Sequence, residues 1–187
     1  MTELTLSRDR AALLVVDIQE RLCPAMPPDA LEHLIRNTRI AIEAARRLRI
    51  PVVVSEQYPK GLGRTVAPIA EALETASPRR FEKMAFSACA TAEFAAIYPE
   101  LGRDQWLVCG METHVCVWQT VRDLRGRGAG VHVLADAVSS RTDGNWRVGL
   151  DLARAAGAIV SSTETAVFDL LREAGGDDFK ALSKLIK

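Results

Sequence analysis

The sequence predicts an α/β protein with an open parallel sheet and helices packed on both faces. Three observations predict it. Short apolar runs of strand length alternate with longer segments of helical periodicity along the whole chain, the pattern of repeated β–α units. The first run, AALLVV at Ala11–Val16, has no polar alternation, as expected of a strand buried on both faces. Several strand segments end at a charged residue or at glycine, along the edge where open α/β sheets place their ligand sites.

Each element has a local reason. Residues 30–48 place Leu31, Leu34, Ile35, Ala41, Ile42, Ala45 and Leu48 on one side of a helix. Pro51–Ser55 is the second strand, with proline at its first position, where a missing N–H is tolerated. Glu56–Arg64 reads as a loop and Val66–Leu73 as a short helix. Phe81–Lys83 reads as a very short strand after a Pro/Arg turn, Thr91–Ala96 as a helix, and Gln105–Cys109 as the next strand. After a polar turn from Gly110, His114–Arg125 is helical. Val131–Ala135 is a strand ending at Asp136, Asn145–Ala156 a helix closed by Gly157, and Ala158–Val160 the last strand. Thr163–Ala174 and Phe179–Ile186 are amphipathic helices. No repeat, low-complexity tract or linker divides the chain, so residues 1–187 are expected to form one domain.

Composition narrows the function. The 24 Lys and Arg residues balance 24 Asp and Glu, so no bulk field draws nucleic acid or an anionic membrane, and neither is expected as a partner. The chain opens without a basic segment followed by an apolar one, and no apolar run approaches the ~18 residues that span a bilayer. The four cysteines (Cys23, Cys89, Cys109, Cys116) are scattered without CxxC pairs. They are expected to be reduced thiols in a cytoplasmic protein.

The segment from Trp106 to Trp118 carries the chemistry. A strand ends at Gly110, turns, and restarts as a helix, with Cys116 in its first turn after Thr113 as N-cap. Unpaired N–H groups and the positive end of the helix dipole are expected to favour the thiolate there. Asp17, Glu56, Lys83 and the 110–116 turn all fall at carboxyl ends of strands, so one crevice can collect them. Asp17 suits a general base and acid. Lys83 suits a cation that keeps acid and thiol ionised, and the turn N–H groups suit an oxyanion. Each residue also has a structural reading: an inert buried thiol, a helix-capping aspartate, a surface lysine. His33 reads as solvated and His132 as structural. No HxH, HExxH or CxxC spacing offers a metal site, and no GxxxxGK[ST] or GxGxxG loop a phosphate site.

Three blocks resemble the isochorismatase-like superfamily of cysteine hydrolases: Leu14–Glu20 (LVVDIQE), Phe81–Ser87 (FEKMAFS) and Gly110–Val117 (GMETHVCV). Ser55–Gly63 (SEQYPKGLG) and Asp136–Arg141 (DAVSSR) are most similar to its isochorismatase-domain-containing branch. The resemblance implies a three-layer Rossmann-like fold with six parallel strands and a catalytic triad of Asp17, Lys83 and Cys116. It implies a cis Met111–Glu112 peptide and an oxyanion hole from the N–H groups of Glu112 and Cys116. Gln19, Tyr58, Phe86, His114 and Trp118 are expected to wall the pocket, and a homo-oligomer, dimer or larger, is implied. The region after the second strand has no histidine, unlike the metal site of nicotinamidases, so no metal or other cofactor is expected. These readings converge on a hydrolase of a small amide or related carbonyl substrate through a thioester. A vinyl-ether hydrolase of the isochorismatase type and a non-catalytic scaffold that kept the fold are the alternatives.

Overall fold

Among the described residues, six strands fix the frame: β1 (Ala11–Val16), β2 (Val52–Gln57), β3 (Arg79–Lys83), β4 (Gln105–Met111), β5 (Gly130–Ser139) and β6 (Ile159–Ser161). All pair in parallel, in the order β3-β2-β1-β4-β5-β6. The computed structural model describes residues 4–187. Among the described residues, eight α-helices connect and cover the strands: α1 (Pro28–Arg47), α2 (Pro59–Leu62), α3 (Ala67–Glu74), α4 (Ala92–Leu101), α5 (Trp118–Gly126), α6 (Asp143–Ala155), α7 (Thr163–Leu171) and α8 (Gly176–Ile186).

The strand period of two divides the core. Ala11, Leu13 and Val15 pack with Leu34 and Ile42 of α1, Ile69 of α3, Val167 of α7 and Leu182 of α8. Ala12, Leu14 and Val16 point the other way, toward Phe94 of α4, Val121 of α5 and Leu150 of α6. Every β1 residue is therefore buried, which is why the sequence needs apolar side chains at consecutive positions there. The predicted doubly wound sheet is the observed one.

Boundaries differ where tertiary contacts prolong a strand. β2 runs on through Glu56 and Gln57, because Gln57 pairs in register with Lys83 and its N–H donates to Gln19 Oε1 at 2.7 Å. Pro59–Leu62 is then a short helix rather than loop. β4 extends to Met111, and β5 reaches Ser139 across a register shift between Val108 and Gly110. Asp136 therefore lies within β5 rather than at its tip, and its carboxylate accepts from Thr163 N–H and Oγ1 at 2.8 and 2.9 Å. The helix expected from His114 begins with a π-helical turn, Thr113–Val117, before α5.

Two glycines allow backbones to approach. Gly110, at φ +122°, pairs with Val16, and a Cβ there would stand 2.0 Å from the Val16 carbonyl oxygen. A Cβ on Gly149 of α6 would meet the Thr113 carbonyl carbon at 2.6 Å. The absence of side chains at these positions brings β1, β4, α6 and the turn after β4 to one place.

Candidate active site

The strand order reverses between β1 and β4, and open α/β sheets form their ligand crevice at that point. Asp17 leaves β1 there with its backbone in the left-handed region, φ +51°, and its side chain completely buried. Ser55, opposite Val16 on β2, donates its hydroxyl to Asp17 Oδ1 at 2.7 Å. Lys83, the last residue of β3, brings Nζ to 2.6 Å from Asp17 Oδ2, with neither side chain exposed. The ammonium also donates to Gln57 Oε1 (2.7 Å), the Phe86 carbonyl (2.9 Å) and the Ala85 carbonyl (3.2 Å).

Cys116 sits in the π-helical turn and is 6% exposed. The preceding Met111–Glu112 peptide is cis. The N–H groups of Val115 and Val117 both donate to the Glu112 carbonyl, at 3.0 and 3.2 Å, and the N–H of Cys116 between them stands outside that pairing. The thiol feels both members of the buried pair: burial first, then the negative charge of Asp17, push its pKa up to about 12, against the opposing pull of Lys83. The expectation of a resting thiolate is thereby corrected. Cys116 precedes α5 in a buried turn, so desolvation outweighs any benefit from a helix terminus.

The expected capping is corrected as well. The N-cap position belongs to Glu112, whose side chain makes no cap. Thr113 is 1% exposed and its hydroxyl has no partner. The Glu112 carboxylate accepts from Arg141 Nε and N–H at 2.9 and 3.2 Å. His114 Nδ1 lies 3.0 Å from Ser140 Oγ. Two side-chain contacts thus tie the Cys116 turn to the segment that ends and follows β5.

Of the expected pocket walls, His114 and Trp118 are half-buried on this turn and at the start of α5, Trp118 with the Arg122 guanidinium 6.0 Å from its ring. Gln19 is not a wall. Its amide is engaged by backbone, donating to the carbonyls of Gln57 (3.0 Å) and Gly63 (2.7 Å) and accepting from Gln57 N–H, so it clamps the β2–α2 connection. Tyr58 is 47% exposed, its ring lying where a Cβ of Gly61 would fall. Phe86 is 52% exposed and reaches Lys83 through its carbonyl. Glu56, also placed at a strand end, faces Arg64 and Thr65 rather than Asp17, Lys83 and Cys116. Ser55, Gln57, Arg141 and Gly149 were missed by reading residues alone. Ser55, Gln57 and Arg141 lie in two of the family-like blocks, and the i, i+2 spacing of Ser55 and Gln57, on the strand between those that end at Asp17 and Lys83, was a further signal. Among the described residues, no three His, Cys, Asp or Glu side chains assemble as a metal site.

The family model of the isochorismatase domain matches residues 11–165. The secreted isochorismatase effector Isc1 of Phytophthora sojae is 43% identical over 84% of this chain and 76% of its own length. Isochorismatase domain-containing protein 2 of Danio rerio is 33% identical over 97% of this chain and 89% of its own. Among solved structures, the MAR1 ribonuclease of Caenorhabditis elegans superposes with a TM-score of 0.89 at 36% identity, covering 97% of this chain and 92% of that one. Among the described residues, no helix is long and apolar enough to cross a membrane.

Proposed function

This chain belongs to the isochorismatase domain family of hydrolases, and we propose that it is a metal-independent cysteine hydrolase of a small amide or related carbonyl compound. The observation that carries the reading is the buried Asp17–Lys83 pair, 2.6 Å apart, acting on the Cys116 thiol. A buried ion pair is costly to desolvate and adds little net stability, whereas a base and a cation beside a thiol are what nucleophilic catalysis requires.

In this reading Asp17 takes the proton from Cys116 as Sγ adds to the substrate carbonyl. The carbon–sulfur bond forms and the carbonyl electron pair moves to oxygen. The N–H groups of Glu112 and Cys116 donate to that oxyanion. Protonated Asp17 gives its proton to the leaving amine, the carbon–nitrogen bond breaks, and a thioester remains. Water, losing a proton to Asp17, adds to the thioester; the carbon–sulfur bond breaks, acid departs, and the proton returns to sulfur. Lys83 keeps its positive charge throughout and compensates the negative charge that moves between Asp17 and Cys116. The reading includes one hydrolase domain working in a reducing, cytoplasmic setting, in keeping with four free cysteines, and as a homo-oligomer.

The test is ammonia release from a panel of small amides by the wild type, Cys116→Ala and Asp17→Asn. Turnover of at least one amide that both substitutions abolish supports the reading. Turnover retained by Cys116→Ala refutes the thioester route and favours cleavage of another bond, such as a vinyl ether. RNA belongs in the panel because of the ribonuclease description of the Caenorhabditis elegans relative. The even charge balance of this chain supplies no field to bind a polyanion, and no RNA cleavage is expected.

A further inference from the structure

We infer that a cavity between the starts of α1 and α6 is a binding site for an aliphatic diamine, a ligand with a protonated amine at each end of an apolar chain. The cavity has a volume of about 480 Å³, within the usual range of small-molecule sites. It lies at the carboxyl end of β5, and Asp17, Lys83 and Cys116 are not among its walls. Pro27, Ala30, Val138 and Trp146 form apolar wall, and Asp29, Asp136 and Asp143 bring carboxylates to it. The Trp146 ring is anchored by its indole N–H, which donates to the Ala135 carbonyl at 3.2 Å.

The acidic rim alone does not mark a site. Asp29 and Asp143 stand in the first turns of α1 and α6, where a carboxylate complements the helix dipole. Asp143 is also paired with Arg147 at 2.9 Å. The floor adds two groups that the fold leaves open. Ser139 is 2% exposed, yet its hydroxyl has no hydrogen-bond partner among the described residues; the equally buried Ser140 meets His114 Nδ1 at 3.0 Å. Buried hydroxyls are normally paired, and this one belongs to a residue that lines the cavity. Asp136 engages both Thr163 donors through Oδ1, at 2.8 and 2.9 Å, and its other oxygen accepts from no described residue. A hydroxyl and a carboxylate oxygen that both lack a donor are matched by an ammonium, which has three donors and no acceptor.

The placement of charge favours an extended ligand over a metal ion. Among the described residues, no three His, Cys, Asp or Glu side chains assemble as a metal site, so the carboxylates are spread along the walls. A diamine fits that spread, with each ammonium at a carboxylate and the methylenes between them covering apolar wall. The basic groups nearby are His33 on the wall and Arg147, which Asp143 holds.

Binding here goes beyond the proposed thioester chemistry and does not depend on it. The test is calorimetric titration of cadaverine, a five-carbon diamine, into the wild type, Asp29→Asn, the double variant Asp29→Asn/Asp143→Asn and Ser139→Ala. Pentanediol serves as the neutral counterpart, magnesium chloride as the metal, and thermal melts as fold controls. The wild type should bind one cadaverine saturably. Loss of each exposed carboxylate should weaken binding about 2- to 5-fold, and Ser139→Ala about 3- to 10-fold. Both acidic positions are exposed, so their variants keep the test open if Ser139→Ala does not fold. The inference is overturned by a wild type that shows no saturation below about 10 mM, or by an affinity that the folded variants leave unchanged. Binding of pentanediol or magnesium chloride as tight as that of cadaverine overturns it too.

Discussion

Lys83→Met is the substitution whose consequence follows most directly from the geometry. It removes a charge buried at 3% exposure and leaves Asp17, at 0%, with only the Ser55 hydroxyl as a hydrogen-bond partner. It also leaves Gln57 Oε1 and the carbonyls of Ala85 and Phe86 without their donor. Breaking a buried pair from one side costs about 3–5 kcal/mol, and these stranded acceptors put Lys83→Met at the upper end of that range. Asp17→Asn is the milder change. The ammonium keeps its three neutral acceptors and the amide keeps an oxygen for Ser55, so the loss should be about 1–3 kcal/mol, that of an imperfectly satisfied buried group. In the double variant the neutral amide at position 17 no longer needs a cation, and the combined loss should fall short of the sum by about 1–3 kcal/mol. Urea unfolding at neutral pH measures all three. With a slope of about 2 kcal/mol per molar, a loss of about 4 kcal/mol moves the midpoint by about 2 M. Equal costs for the two single variants, or strict additivity in the double, would refute the claim that the ammonium is held by neutral acceptors while the carboxylate depends on the ammonium.

Two further outcomes follow from backbone approach and from buried thiols. Gly110→Ala should cost more than about 3 kcal/mol, since it adds a Cβ 2.0 Å from the Val16 carbonyl oxygen at φ +122°. Gly126→Ala, where a Cβ meets nothing within 4 Å at the end of α5, should be neutral or stabilising by up to about 1 kcal/mol; similar unfolding midpoints for the two would contradict the close-approach argument. Burial pushes the thiols of Cys23 and Cys89 up to about 11 and those of Cys109 and Cys116 up to about 12, from 9.0. Folded values above unfolded ones mean that the folded chain holds more protons above pH 9. Stability should therefore be level below that pH and fall as pH rises from about 9 toward 12. At about pH 11 each such thiol contributes a loss of about 2–3 kcal/mol. Cys109→Ala should flatten part of the slope in urea midpoint against pH, and a midpoint unchanged between about pH 8 and about pH 11 would show that the thiols do not titrate as buried groups.

How far the site could be read in advance depends on whether the cause was local. Periodicity identified every strand and the alternation with helices, because consecutive apolar residues at Ala11–Val16 or helical spacing from Leu31 to Leu48 report burial directly. Apolar periodicity ends β2, β4 and β5 short of their observed ends. Gln57, Gly110 to Met111 and Asp136 to Ser139 are held in strands by partners distant in sequence, and no apolar periodicity marks them in advance. Gln19 illustrates the same limit: its place beside Asp17 was legible, but its engagement by the backbone of Gln57 and Gly63 was not.

The sequence by itself determined the α/β class and placed Asp17, Lys83 and Cys116 at strand ends that open α/β sheets turn toward one crevice. Strand ends are chain-local facts, and the parallel order converts them into spatial ones. Only the tertiary structure decided the electrostatics. A thiol expected to ionise at a helix start is instead buried beside a carboxylate and held protonated. The Lys83 ammonium, 2.6 Å from Asp17 Oδ2, is held there by Gln57, Ala85 and Phe86, partners that residue types alone did not suggest. Desolvation and the direction of a hydrogen bond depend on every atom packed around a group, and these come from segments that have no proximity in the chain.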